Sequence, residues 1–247
     1  SVASIGNSAF GFCNSLKEIM IPDSVTSIGN YAFTNCTSLT EITIPDSVAF
    51  LGYGACIRCI NLTKVTLSDN VTSIASETFE LCESLTEITI PDSVTSIGYS
   101  AFGFCSSLTE ITIPDNVTSI ADNAFAVCSS LREITIPDTV TSIGDVAFYG
   151  CGSLTDVYYS GSEEEWNVIS IGSDNSDLAG ATIHYNSSGQ TFSVQISPDI
   201  EHGEVSAASS AKEGETVTIS VTPEERYMLQ QLAVTTEDGE NIEAMSW

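Results

Sequence analysis

Leucine recurs every 23 residues from Leu16 through Leu39, Leu62, Leu85, Leu108 and Leu131 to Leu154, and cysteine keeps the same interval from Cys13 to Cys151 without one insertion. A fixed period in the twenties is the mark of a solenoid, in which each unit is one coil and touches only its neighbours. One such unit has too few apolar side chains to offset the entropy of ordering its own backbone, so stacking is obligatory. Chains of this kind present long surfaces to partners.

In the unit Leu108 to Ser130, Leu108, Ile111 and Ile113 end in an alternation of period two, which predicts a short strand. Pro114 removes a ladder donor, and Asp115 and Asn116 favour a turn, so the strand stops there. Val117 and Ile120 predict a second short extended piece. Ala124, Phe125 and Cys128 have the i, i+1, i+4 spacing of one or two helical turns facing inward. Gly98 and Gly144 follow the second apolar pair, but Ala75 and Ala121 stand at the same offset, so that corner does not require a left-handed backbone. We expect about six and a half coils in a right-handed rod, with parallel strands stacked about 4.8 Å apart.

Composition narrows the partners. With 33 Asp and Glu against 6 Lys and Arg, the net charge is -27, which repels phosphate backbones and anionic headgroups. Neither nucleic acid nor membrane insertion is expected, and no apolar run reaches the roughly 18 residues of a spanning helix. The chain opens with Ser1-Val2-Ala3-Ser4-Ile5-Gly6, the second half of a repeat, so we expect further repeats, a leader or both upstream.

The recurring Leu-x-x-Ile-x-Ile-Pro, Val-x-x-Ile-Gly, Ala-Phe and Cys positions resemble the BspA-like leucine-rich repeats of bacterial surface proteins. The resemblance runs from residue 1 to about 186 and implies a leucine-rich-repeat solenoid with its main sheet on one face, in secreted or surface proteins engaged in adhesion and recognition. Residues 156–186 depart from the period and resemble the segment that closes such arrays. We read Glu163 to Trp166 as the start of a small helix, Trp166 as a plug over the last rung, and Ile183 to Tyr185 as a final strand.

After residue 186 the period is lost. Asn186 to Gly189 reads as a linker, and residues 187–247 as a small all-β module. Its strands are expected at Phe192-Val194-Ile196, Val205-Ala207, Val217-Ile219-Val221 and Leu232-Val234. The run Gly203-Glu204-Val205-Ser206, Gly214-Glu215-Thr216-Val217 and Tyr227 resembles the divergent, internalin B-type-like repeat modules of Gram-positive surface proteins. The closing strand of that family is missing, so we read the module as incomplete.

Three groups of residues invite a chemical reading. The cysteine row fits a stack of free thiols packed as small hydrophobes, because in-register parallel side chains keep their Cβ atoms near 5 Å, beyond the disulfide optimum of about 3.5 to 4.5 Å. Cys56-Ile57-Arg58-Cys59 has redox or zinc spacing, yet Cys59 belongs to the row and Cys56 holds a Phe position, so both should point inward. The sheet is expected to expose Glu18, Glu41, Glu87, Glu110, Glu133 and Asp156 in one row, broken by Lys64, beside the threonines Thr43, Thr66, Thr89, Thr112 and Thr135. That face is a solvated surface, a dock for a basic or hydroxyl-rich partner, or a calcium bridge, though no EF-hand spacing supports the last. The candidate ligand-binding residues are Glu41, Lys64, Glu87, Thr89, Glu110, Thr112, Arg132, Glu133 and Tyr158, with no metal or cofactor.

With two histidines, His184 and His202, and no nucleophile motif or phosphate loop, the chain is not read as an enzyme. The leading expectation is a monomeric extracellular or cell-surface bacterial protein that offers a solenoid face to a host or bacterial surface protein or glycan. Two alternatives stay open: a structural spacer within a larger surface protein, and a polysaccharide-targeting accessory module of an extracellular enzyme.

Overall fold

The computed structural model describes residues 2–189 without a break and, beyond them, residues 191–193, 203–207, 210–212, 217, 219–223, 234–235 and 241–242. The chain divides into two compact units, Ser1–Gly189 and Gln190–Trp247.

The first unit is a parallel solenoid of about 8 turns with few helices. Each coil places its Leu-x-x-Ile-x-Ile segment on one face, and the register between coils is the 23-residue period itself. Glu41 pairs with Lys64, Ile42 with Val65 and Thr43 with Thr66, and likewise Glu110 with Glu133 and Ile111 with Ile134. Alternation puts Ile42 in the core at 2% exposure while Glu41 and Thr43 face solvent. A turn closes the strands that end in proline, because the valine three residues beyond it donates to its carbonyl, as in Val25 to Pro22 and Val117 to Pro114. Two coils carry serine at that offset: Ser160 after the strand Asp156–Tyr159, and buried Ser68, whose hydroxyl accepts from the Asn70 amide at 3.0 Å.

A second ladder runs along another side of each coil, built from Ile5, Ile28 and Leu51 and continued by Ile74, Ile97, Ile120 and Ile143. The glycines that follow it are not left-handed. They permit close stacking, since a Cβ on Gly98 would lie 2.6 Å from the Ser76 nitrogen.

The expected helical turns at Ala-Phe-x-x-Cys do not form. The segment is a pair of tight turns, each containing a residue of positive φ. One row of these is Ser8, Tyr31, Gly54, Glu77, Ser100, Asn123 and Val146, and the other is Phe12, Asn35, Arg58, Leu81, Phe104, Val127 and Gly150. A helix would send its N–H groups back along its own axis, whereas here they reach the next coil: Phe125 donates to Ala147 at 2.9 Å and Val127 to Tyr149 at 2.6 Å. Inter-coil bonding thus outweighs the roughly 1 to 2 kcal/mol cost of each left-handed side-chain-bearing residue.

The core is columnar. Phe79, Phe102, Phe125 and Phe148 stack with centroids 5.4 to 5.6 Å apart, and Phe10 stacks on Phe33 in the same way. Cys56 occupies the place between Phe33 and Phe79 in this register. All eight cysteines are free thiols. From Cys36 to Cys151 the row is buried, and each Sγ points at the carbonyl of the preceding coil, from Cys36 to Phe10 at 3.1 Å to Cys151 to Phe125 at 3.2 Å. Burial pushes the Cys36 and Cys151 thiols up to about 12 and raises Cys82, Cys105 and Cys128 too, so these groups are S–H donors. Cys13, in the first described coil, departs from the expected buried row and is exposed.

The closing segment forms the helix Glu163–Trp166, capped by Ser162 and Glu165 in a capping box, a second short helix Ser176–Gly180, and the strand Thr182–Tyr185 paired to Asp156–Tyr159. Trp166 packs edge-on against Tyr159 at 5.1 Å. Buried Asn175 joins the cap to the last coil: its Oδ1 accepts from Phe148 N at 2.9 Å, and its Nδ2 donates to Gly144 O at 2.9 Å.

In the second unit the described strands pair antiparallel: Thr191–Ser193 with Ser210–Lys212, Gly203–Ser206 with Ser220–Pro223, and Val234–Thr235 with Asn241–Ile242. The expected strand positions Val194, Ile196 and Leu232, the stretch Gly214-Glu215-Thr216, Tyr227 and His202 lie outside the described residues.

Candidate functional site

The parallel sheet of the first unit is interrupted. Glu41–Thr43 and Lys64–Thr66 form one two-stranded piece, and Glu110–Thr112, Glu133–Ile136, Asp156–Tyr159 and Thr182–Tyr185 form another of four strands. The intervening residues Glu87 to Ile90 belong to neither. The coil on one side of this break is the one in which Val65, Leu67 and Ser68 replace the usual Ile, Ile and Pro. At the break lies a groove of about 650 Å³, whose rim carries Lys64, Glu87, Thr89, Glu110 and Thr112 and whose floor includes Ile88 and Ile90. Ile88 is 7% exposed, against 1% for its equivalent Ile134.

Five of the nine residues singled out from the sequence meet at this groove, and Glu41 sits one strand away in register with Lys64. Lys64 makes no ion pair within 4.0 Å among the described residues. Arg132 is exposed on the neighbouring row, and its backbone carbonyl accepts from Thr155. Glu133 is half-buried. Tyr158 requires a correction: at 2% exposure it is a core residue, stacked on His184 at 4.8 Å and approached by the backbone at Gly189, so it has no surface to offer a ligand. His184 packs there with Nε2 2.8 Å from Asp156 Oδ1. Among the described residues no group of three or more His, Cys, Asp or Glu is arranged to hold a metal ion.

The Cys56 and Cys59 pair faces inward, both residues at 0% exposure. A hydrogen bond to Cys59, together with burial, holds the Cys56 thiol up. Much of the exposed Thr, Ser and Asn side-chain chemistry is directed at neighbouring coils: Thr63 Oγ1 donates to Thr40 O, Ser47 Oγ to Val25 O and Asn116 Nδ2 to Asp92 O.

Sequence reasoning missed a cluster at the turn corner. The Tyr53 hydroxyl donates to Glu77 Oε1 at 2.7 Å, and the ring of Tyr53 meets Tyr31 edge-on at 5.6 Å. The hydrogen bond to Glu77, then burial, pushes the Tyr53 phenol up to about 12. Burial and then Glu77 raise the Glu80 carboxyl, with Arg58 opposing. The available signal was aromatic residues at two offsets that elsewhere carry mostly Asn, Ser or Asp.

A family profile described as BspA type leucine rich repeat region matches the chain in 6 copies, over residues 3–107 and 51–173. Among solved structures, the T. pallidum leucine rich repeat protein is similar at 27% identity and a TM-score of 0.59, covering 68% of this chain and 77% of that one. A leucine rich cell surface protein from Faecalibacterium prausnitzii shares 30% identity with a TM-score of 0.42, covering 68% of this chain and 60% of that one. The pneumococcal vaccine antigen PcpA shares 22% identity with a TM-score of 0.45, covering 75% of this chain and 55% of that one. The chain thus spans less than two thirds of the length of those last two. No curated protein matches it. With the profile covering well over half of the sequence, the chain belongs to the BspA-type leucine-rich repeat family.

Proposed function

We propose that this is a secreted or surface-attached bacterial recognition protein whose interrupted sheet face takes a protein or glycan ligand through basic or hydroxyl groups. The observation that carries the reading is the groove at the sheet break, where carboxylates and threonine hydroxyls converge around one lysine. Exposed carboxylates at about one strand spacing attract cations and accept charge-assisted hydrogen bonds from hydroxyls, and an overall charge of -27 steers basic partners toward them. Glu41, Glu133 and Arg132 extend the contact surface beyond the groove. No helix among the described residues is long and apolar enough to cross a membrane. The antiparallel second unit serves as a spacer or part of an anchoring stalk in this reading.

The test is a screen of the purified chain against extracellular-matrix proteins and glycans, with and without calcium, repeated with the variant Glu87→Gln/Glu110→Gln. Selective binding that the variant loses supports the reading; binding that the variant keeps, or none at all, overturns it. The spacer alternative has its own support, since exposed Thr, Ser and Asn side chains stitch coil to coil, and an absence of binding would favour it.

A further inference from the structure

The turn corner of the solenoid carries a second feature, independent of the sheet face. Two adjacent offsets that carry Asn7, Asn30, Asp122 and Asp145 in one row and Ser8, Ser100 and Asn123 in the next also hold Tyr53 and Tyr99 in the first and Tyr31 and Glu77 in the second, one from each of four consecutive coils. Backbone bonds hold them in step: Tyr31 N donates to Tyr53 O and Glu77 N to Tyr99 O, each at 2.8 Å. Gly54 is bare where other coils carry a side chain, and the Tyr31 ring fills that space, so a Cβ on Gly54 would lie 2.5 Å from its Cε1. Tyr31 and Tyr99 remain 37% and 48% exposed.

The Tyr31 ring is held against Tyr53 and Gly54, and the rings of Tyr31 and Tyr99 stay wet. A buried aromatic column exists a few residues away in the coils of Tyr31, Glu77 and Tyr99, at Phe33, Phe79 and Phe102, so the exposed tyrosines are additional to what the core uses. Tyrosine offers a large amphipathic contact area at low entropic cost. Glu77, oriented by the Tyr53 hydroxyl, together with Glu80 on the same coil and Arg58 on the preceding one, adds acceptors for hydroxyl protons and one fork of donors. Three coil steps of about 4.8 Å separate Tyr31 from Tyr99 by about 14 Å, and one step is close to the length of a single pyranose in an extended chain.

We propose that this corner is a binding site for a neutral, extended oligosaccharide, whose sugar rings stack on Tyr31 and Tyr99 while their hydroxyls bond Glu77 and Glu80. Neutrality follows from the charge of -27, which disfavours uronic and sialic acids. The spacing match selects a chain of sugars over a single monosaccharide.

The experiment titrates the intact chain with soluble tetrasaccharides of β-glucan, chitin, mannan and xylan at millimolar concentration, by calorimetry and by chemical-shift perturbation. At least one should bind, and Tyr99→Ala should weaken it by about tenfold, equivalent to about 1.4 kcal/mol. The melting temperature should be unchanged, because Tyr99 lies half outside the protein. Glu87→Gln/Glu110→Gln on the sheet face should leave this binding intact, which separates the corner from the groove. Failure of all four sugars to bind, retention of affinity in Tyr99→Ala, or loss confined to the sheet-face variant would each overturn the assignment.

Discussion

The two halves of the sheet face carry the same repeat offsets but offer different surfaces. From Glu41 to Thr112 the Glu, Lys and Thr side chains are exposed. From Glu133 to Tyr159 the same offsets become half-buried and then buried, ending with Tyr158 at 2%. The residue type at an offset therefore does not decide its exposure. What decides it is the closing segment, which adds the strand Thr182–Tyr185, lays His184 against Tyr158 and brings the backbone to Gly189 over the face. The proposed recognition surface lies in the open half, where the sheet is also interrupted.

The sharpest way to break this comparison is Phe102→Asp. Phe102 is fully buried between Phe79 and Phe125 at 5.6 and 5.4 Å, and an unpaired carboxylate there should cost about 4 kcal/mol or more. Because a solenoid is held by nearest-neighbour contacts, hydrogen exchange should show the open coils losing protection while amides between Glu133 and Tyr185 keep most of theirs. Uniform loss would show that the cap and the open coils unfold as one unit.

A smaller effect separates the cap from the coils it covers. Asn175→Ala leaves the buried Phe148 N–H and Gly144 carbonyl without their side-chain partners, a loss of about 1 to 3 kcal/mol. Asn30→Ala removes a comparable bond to Tyr53 N, but in an exposed corner where water replaces it, and should cost well under about 1 kcal/mol. Equal melting temperatures for the two variants would refute the ranking.

The period, the strand, the proline turn and the cysteine row were legible in the sequence because each repeats a residue whose chemistry allows one solution. The turn corner was not. Ala124, Phe125 and Cys128 have helical spacing, and the residues of positive φ include Val127, Val146 and Leu81, which carry no local signal for a left-handed backbone. Only inter-coil bonds such as Val127 to Tyr149 explain them, and those exist only once the stack is built. The candidate site was half legible for a related reason: Lys64 and the Glu row could be read from periodicity, whereas the sheet break at Glu87 to Ile90 and the covering of Tyr158 arise from neighbours outside the repeat.

Lys64→Glu tests the electrostatics of the open half directly. It would turn the attraction to Glu41, its register partner, into a repulsion and set a second like charge beside Glu87 across the groove. The Glu41 interaction is about 0.8 kcal/mol at roughly 5 Å in water before screening, so salt and solvent exposure should keep the total to about 1 kcal/mol of destabilisation. Urea unfolding at low and high ionic strength checks it, with a larger loss expected at low salt. The same substitution in the half-covered end is impossible to compare, because no cation stands in the row there.

The smallest expected effect is that of Glu41→Gln/Glu87→Gln. Each carboxylate loses one repulsive neighbour along the row, Glu18 or Glu110, and one attractive neighbour, Lys64, which is in register with Glu41 and across the groove from Glu87. The two contributions largely cancel, and what remains is the weak repulsion between Glu41 and Glu87 two coils apart, about 0.4 kcal/mol in water at roughly 10 Å. Unfolding free energy should therefore change by less than about 0.5 kcal/mol, with a shallow gain at low salt. A marked loss would mean that these carboxylates hold a bound cation, and repeating the melt with and without a chelator would expose it.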